Sequence, residues 1–151
     1  MTHETLKKFG YPETTIKEYP NWTLLLRPKQ VTLGSLVLVK SSNEERFGDL
    51  SESAFKELRI VIHEIEHNLT KIFKYEKINY LMLMMVDPHV HYHVIPRYSK
   101  TIHFNGESFV DSDWPKPPDL SKAPDYEDDT LKVLQKKLNL SGKVETTFLS
   151  L

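Results

Sequence analysis

Between His89 and Arg97 the chain reads HVHYHVIPR, where three of its seven histidines alternate with Val90 and Tyr92 and lead into Val94. A period of two belongs to an extended strand, in which successive side chains leave on opposite faces. The pattern therefore predicts His89, His91 and His93 on one face and Val90, Tyr92 and Val94 on the other. Like residues then recur about every 7 Å along the strand. Such a strand fits a sheet that holds a row of imidazoles rigidly between flanking apolar strands, as a reactive site requires. Pro96 reads as the end of the strand, because proline has no N–H to give a ladder.

The rest of the chain supplies the partners. Asn21–Pro28 (NWTLLLRP) and Gly34–Lys40 (GSLVLVK) read as strands, and the short link between them favours an antiparallel pair. Ile78–Val86 (INYLMLMMV) is nearly all apolar and reads as a buried central strand, with Asp87-Pro88 as a bulge or turn after it. Phe55, Leu58, Ile62, Ile65, Leu69 and Ile72 recur at helical spacing and predict one long amphipathic helix. Ser51 is its expected N-cap, Leu50 and Phe55 have staple spacing, and Ile60 and Val61 lie off the main stripe, towards a second contact. HETLKKFG reads as a short helix ending at Gly10. Beyond Arg97 a proline-rich stretch with little periodicity reads as an ordered loop or extended arm, in which Phe104, Phe109 and Trp114 need cover. Leu131, Leu134 and Leu138 predict a short last helix with Gly142 as its stop. The expected fold is α+β, a mainly antiparallel sheet with one long helix and a short C-terminal one. It is read as one domain over 1–151, with a core of about 20–98 and a tail of 99–151.

Charge and composition narrow the function. A formal net charge of −1 leaves no global basic field, so no nucleic-acid partner is expected. With no cysteine, thiolate metal sites, thiol nucleophiles and disulfide frameworks are excluded. The opening residues lack the apolar core of a secretory signal and no apolar run approaches a membrane span. A soluble, cytoplasmic protein with no membrane partner is expected.

Imidazole titrates near pH 6.5, so a row of them can hold a neutral nucleophile beside a protonated neighbour that stabilises phosphate charge or helps a leaving group. Three readings of the row compete. It can be a polar strand face, it can bind a metal ion through neutral imidazoles, or it can carry phosphoryl or nucleotidyl transfer through a histidine nucleophile. Two histidines one residue apart can share an ion, but a third in line lies too far, and only Asp87 offers a further nearby ligand.

At these residues the chain resembles the histidine triad (HIT) family of nucleotide hydrolases and transferases. HVHYHVI, His89–Ile95, matches the family pattern in which three histidines alternate with apolar positions, and Pro96-Arg97 is similar to the Fhit-like dinucleoside polyphosphate hydrolases. The resemblance runs from about Trp22 to Arg97, with a weaker echo at DSDWPKPPDL. It implies a HIT-like antiparallel sheet of about five strands and a homodimer that joins two sheets into one. It implies attack of His91 on the α-phosphate of a nucleotide conjugate, such as a dinucleoside polyphosphate or a phosphoramidate. A nucleotidyl-histidine would form and water would release the monophosphate. His93 would assist the phosphate charge or leaving group, and His89 would orient the site. No cofactor is required by this chemistry. The family's usual polar phosphate contacts ahead of the triad are replaced by Met85 and Val86, and its Gly-His pair by Gly34-Ser35. Substrate contacts are expected instead from Asn79, Ser35 and Arg97. Those losses keep open a nucleotide-binding or interaction protein with weak turnover, beside a metal-dependent phosphoesterase.

Other candidates have plainer readings. His63 and His67 share a helix face and read as solvated, and His103 as a loop residue. Leu24, Leu26, Leu36 and Leu38 can be core or the wall of a base pocket. Trp114 can cover the site or close the core, and the methionines at 82, 84 and 85 read as core.

Overall fold

The computed structural model describes residues 2–141. Five strands, β1 (Thr15–Glu18), β2 (Trp22–Leu26), β3 (Leu36–Lys40), β4 (Lys77–Leu81) and β5 (His91–Arg97), form one antiparallel sheet in the order β1-β2-β3-β5-β4. A short hairpin, β6 (Ile102–Phe104) and β7 (Glu107–Phe109), follows it. Three helices complete the chain: α1 (Glu4–Lys8), α2 (Glu52–Ile72) and α3 (Asp128–Ser141). The α+β class, the antiparallel β2–β3 pair, the long helix and the last helix stand as expected. Gly142 lies outside the described residues.

The sheet buries different sets of residues on its two faces. Leu24, Leu26, Leu36, Leu38, Val90 and Val94 join the main core with Leu58, Val61, Ile65 and Leu69 of α2. Leu25, Val37 and Val39 meet Leu6 and Phe9 from the α1 region in a smaller cluster on the other face. The four leucines at 24, 26, 36 and 38 are thus core against α2. Trp22 ties the layers together, since it is fully buried and its indole N–H donates to Ala54 O at 2.9 Å. Burying such a side chain contributes a few kcal/mol, about 2–3 by transfer data.

Ser51 caps α2 by accepting the Ala54 amide. The helix ends where Phe73 turns extended and buries its ring. Val61 is fully buried, so the core-facing stripe is wider than the strict 3–4 spacing suggests. Phe55 lies at its exposed margin, where its ring meets Phe47 edge-on at 5.5 Å.

Three expectations need correction. The run Ile78–Val86 does not make a central strand. Pairing stops at Leu81, β4 lies at the sheet edge, and Leu83, Met85 and Val86 are exposed in the loop that follows. Met84 there takes a φ of 49°, which an extended strand cannot accommodate. Met82 and Met84 are half-buried against the core, but Met85 is not core. Second, β5 begins at His91 and runs through Pro96 to Arg97. Pro96 is tolerated because β3 pairs with β5 only as far as Val94, so its missing N–H interrupts no ladder bond. Its carbonyl accepts the Thr32 hydroxyl at 2.5 Å instead. Third, the segment after Arg97 is not only loop. It contains the β6–β7 hairpin, and Phe109 is buried with Tyr126 stacked on it at 4.1 Å.

Candidate active site

The sheet register assembles the site. Val37 faces His93 and Val39 faces His91 across the β3–β5 ladder, so both histidines stand on the α1 side while Val90 and Val94 enter the main core. The two rings meet edge to face with centroids 5.0 Å apart. Phe9, just beyond α1, touches both rings at 5.9 and 5.6 Å. His91 and His93 are buried, and both line a cavity of about 420 Å³ with Lys8, Phe9, Arg27, Asp87 and the loop residues Leu83–Val86.

One hydrogen bond sets the chemistry of His91. Its Nδ1 lies 2.6 Å from the carbonyl oxygen of His89. A carbonyl can only accept, so Nδ1 carries the proton and Nε2 keeps its lone pair. Burial lowers the pKa of His91 below the ordinary value, outweighing the carbonyl that supports the charged form. His91 is therefore a neutral imidazole with a basic nitrogen fixed in direction.

His93 is lowered further, to about 4, first by burial and then by the neighbouring His91 and Arg27. Its Nδ1 is buried with no hydrogen-bond partner among the described residues. The free site thus holds two neutral rings, and the protonated neighbour expected from the sequence has to be created by an anion brought to it.

His89 stands apart from the row. It precedes β5, and its ring stacks on His3 at 3.9 Å with an interplanar angle of 10°. The Thr5 hydroxyl lies 2.8 Å from His89 Nδ1 and accepts the His89 amide at 3.4 Å. His3 caps α1 by accepting the Leu6 amide on Nδ1 and donates from Nε2 to Lys40 O. The start of the chain therefore braces the residue whose carbonyl fixes His91.

The other expected site residues lie elsewhere. Ser35 is fully buried and bonded to Thr32, as part of the β2–β3 turn that Gln30 also organises. Arg97 is buried in a bidentate pair with Asp111, at 2.7 and 3.1 Å, and donates to Asn79 Oδ1 and Lys116 O, both at 2.7 Å. It is six residues from His91, about 20 Å along the strand. Asn79 and Arg97 instead line a groove of about 750 Å³ beside β4, with Trp114 and the prolines that follow. Trp114 therefore covers neither histidine. His63 and His67 are exposed on α2, and His103 is exposed with Nδ1 3.0 Å from Ser108 Oγ. Among the described residues no three His, Asp or Glu side chains are placed to hold a metal ion.

Sequence reasoning missed His3, Thr5, Phe9 and Arg27. The short helix was visible, but nothing local places it against a strand more than 80 residues later. Arg27, at the strand end before Pro28, reads from the sequence only as part of a strand.

No family model and no curated protein match this sequence. Solved structures do. A histidine triad protein from Bradyrhizobium japonicum superposes with a TM-score of 0.72 at 20% identity, covering 93% of this chain and 96% of that one. A histidine triad protein from Sinorhizobium meliloti gives 0.73 at 20% identity over the same shares, 93% and 96%. A hypothetical histidine triad nucleotide-binding protein from Sulfolobus tokodaii gives 0.62 at 19%, covering 87% and 90%. The chain has the fold of the histidine triad proteins.

Proposed function

We propose that this protein is a histidine triad nucleotide hydrolase or nucleotidyl transferase with His91 as nucleophile. The observation that carries the reading is the His91 Nδ1 bond to the His89 carbonyl, which leaves Nε2 unprotonated and buried beside a cavity. In this reading Nε2 donates its electron pair to the α-phosphorus of a nucleotide conjugate. A P–N bond forms and the bond from phosphorus to the leaving group breaks. The leaving group departs with its electron pair and takes a proton. Water then attacks the nucleotidyl-histidine, releasing the nucleoside monophosphate and restoring His91.

His93 is the proton-carrying neighbour. A phosphate beside it opposes the burial that keeps it neutral, so substrate binding raises its pKa. His89 acts as a positioning residue through its carbonyl. Ser35, Asn79 and Arg97 have no nucleotide contact in this reading. No metal or other cofactor is invoked. The substrate is a dinucleoside polyphosphate or a nucleoside phosphoramidate, and the Fhit-like branch is favoured by the Pro96-Arg97 ending of the triad. A homodimer is supported by the position of β4 at the edge of the sheet among the described residues and by the exposed Leu83, Met85 and Val86 next to it. A cytoplasmic setting accords with the absence of cysteine.

The test is a metal-free assay of wild type and His91→Ala with a dinucleoside polyphosphate and an adenosine phosphoramidate, with acid-labile nucleotidyl-enzyme trapped. Monophosphate release and a trapped adduct are expected from wild type alone. Equal turnover by His91→Ala removes the nucleophile assignment. Nucleotide binding with no release from either substrate favours the binding-protein alternative.

A further inference from the structure

Arg27 is the buried cation that the mechanism above leaves unused. It is only 8% exposed, and no carboxylate pairs with it among the described residues. A guanidinium has five N–H donors. One of them goes to Lys29 O at 2.6 Å and one to Leu120 O at 3.3 Å, and Nε is buried without a partner among the described residues. Removing a charge from water costs several kcal/mol, and an uncompensated one is retained at a loss of stability. Buried Arg97 shows the ordinary solution, a bidentate carboxylate. Arg27 lacks it.

Its position suggests what fills that role. Arg27 lines the histidine cavity and also an adjoining cavity of about 210 Å³ with Lys8, Phe9, Pro28 and Lys29. Three cations thus border the two adjoining cavities, against a single lining carboxylate, Asp87, which already pairs with Lys8 at 2.9 Å. Lys8 is offset by Asp87, which leaves Arg27 and Lys29 without a carboxylate partner among the described residues. A planar fork with free N–H groups matches the oxygens of a phosphate.

We propose that Arg27, flanked by Lys8 and Lys29, binds a second phosphoryl group of the substrate, beyond the one that His91 attacks. The inference rests on the nucleotidyl-transfer reading for the first phosphate. The second can belong to a polyphosphate chain on the leaving-group side or to a phosphate on the ribose. It makes Arg27 a specificity-determining residue and disfavours substrates whose only phosphate is the α one.

Calorimetric titration of His91→Ala, with and without Arg27→Gln, tests this without turnover. The ligands are adenosine monophosphate, adenosine triphosphate and adenosine 3′,5′-bisphosphate. One of the two multiply phosphorylated ligands is expected to bind at least tenfold tighter than the monophosphate, and Arg27→Gln to cut that advantage at least tenfold. A triphosphate advantage assigns the leaving-group side; a bisphosphate advantage assigns the ribose. Equal affinity for all three, or an equal loss for all three in Arg27→Gln, overturns the proposal, the latter because it marks Arg27 as merely structural. If Arg27→Gln does not fold, Lys29→Gln at its exposed position serves. It is expected to cut the advantage a few-fold and flatten its salt dependence, and no change in either overturns the proposal. Arg27-dependent binding without any wild-type turnover sinks the enzyme reading alone, whereas turnover without that binding sinks this inference alone.

Discussion

Replacing Arg97 by alanine separates a structural role from a substrate role at a position the sequence offers for either. The Arg97 guanidinium and Asp111 carboxylate are 4% and 2% exposed and make two hydrogen bonds to each other. Arg97 also holds Asn79 on β4 and the Lys116 carbonyl in the segment beyond β7. Truncation leaves the Asp111 charge buried, held among the described residues by the Tyr98 amide at 3.1 Å. Breaking a buried pair from one side costs about 3–5 kcal/mol. For a chain of this size that corresponds to a fall of roughly 10 °C in Tm. Urea and thermal unfolding by circular dichroism measure it. The cycle with Asp111→Leu sharpens the test. The double variant Arg97→Ala/Asp111→Leu removes both charges, so its loss of stability should be at least about 2 kcal/mol smaller than the sum of the two single losses. Nucleotide affinity at a temperature where the variant stays folded should change little, because His91 is about 20 Å along the strand. A loss below about 1 kcal/mol together with a tenfold weaker nucleotide affinity would refute the reasoning and return Arg97 to the substrate.

Further outcomes follow from the histidines and from one turn. With the folded pKa of His93 near 4 and the unfolded value near 6.5, the unfolded chain binds more protons between these limits. His93 therefore adds stability above about pH 6.5 that is lost as the pH falls towards 4, at most about 3 kcal/mol, readable from urea midpoints at several pH values. A His93→Gln variant with the same acid-limb slope as wild type contradicts that assignment. The kcat/KM profile should fall on its acid side with a midpoint below about 6.5, since burial lowers the pKa of His91; a midpoint above that value argues against a buried neutral nucleophile. Thr5→Val removes the hydroxyl that holds His89 and should lower kcat several-fold more than it raises KM, measured by steady-state kinetics. Gly34→Ala places a Cβ 3.3 Å from Phe73 at a φ of +87° and should cost about 1–2 kcal/mol or more in unfolding experiments.

What was legible in the sequence is what repeats with a period. The alternation 90–94 correctly separates core valines from site histidines, and the 3–4 spacing from Leu58 to Leu69 correctly marks a helix. Apolarity without a period misled. Ile78–Val86 has the composition of a buried strand, but only five residues from Lys77 to Leu81 pair, at an edge. Short elements with few apolar residues left no signal, as in β1, where Ile16 is the only aliphatic residue. The site was half legible for the same reason. His91 and His93 follow from local spacing, whereas His3, Thr5, Phe9 and Arg27 reach them only through sheet register and the packing of α1.

That dependence has a consequence for how the site holds its shape. A five-residue helix has almost no stability of its own, because nucleation outweighs so few hydrogen bonds. α1 persists through Leu6 and Phe9 in the small cluster, the His3 bond to Lys40, and the Thr5 contacts with His89. The same contacts fix the His89 backbone, whose carbonyl selects the tautomer of His91. The α1 region and the imidazole of His91 are therefore linked through one chain of contacts. If His91 is the nucleophile proposed above, a substitution that loosens α1, such as Leu6→Ala, should lower kcat more than the accompanying loss of global stability accounts for, measured by steady-state kinetics beside urea unfolding.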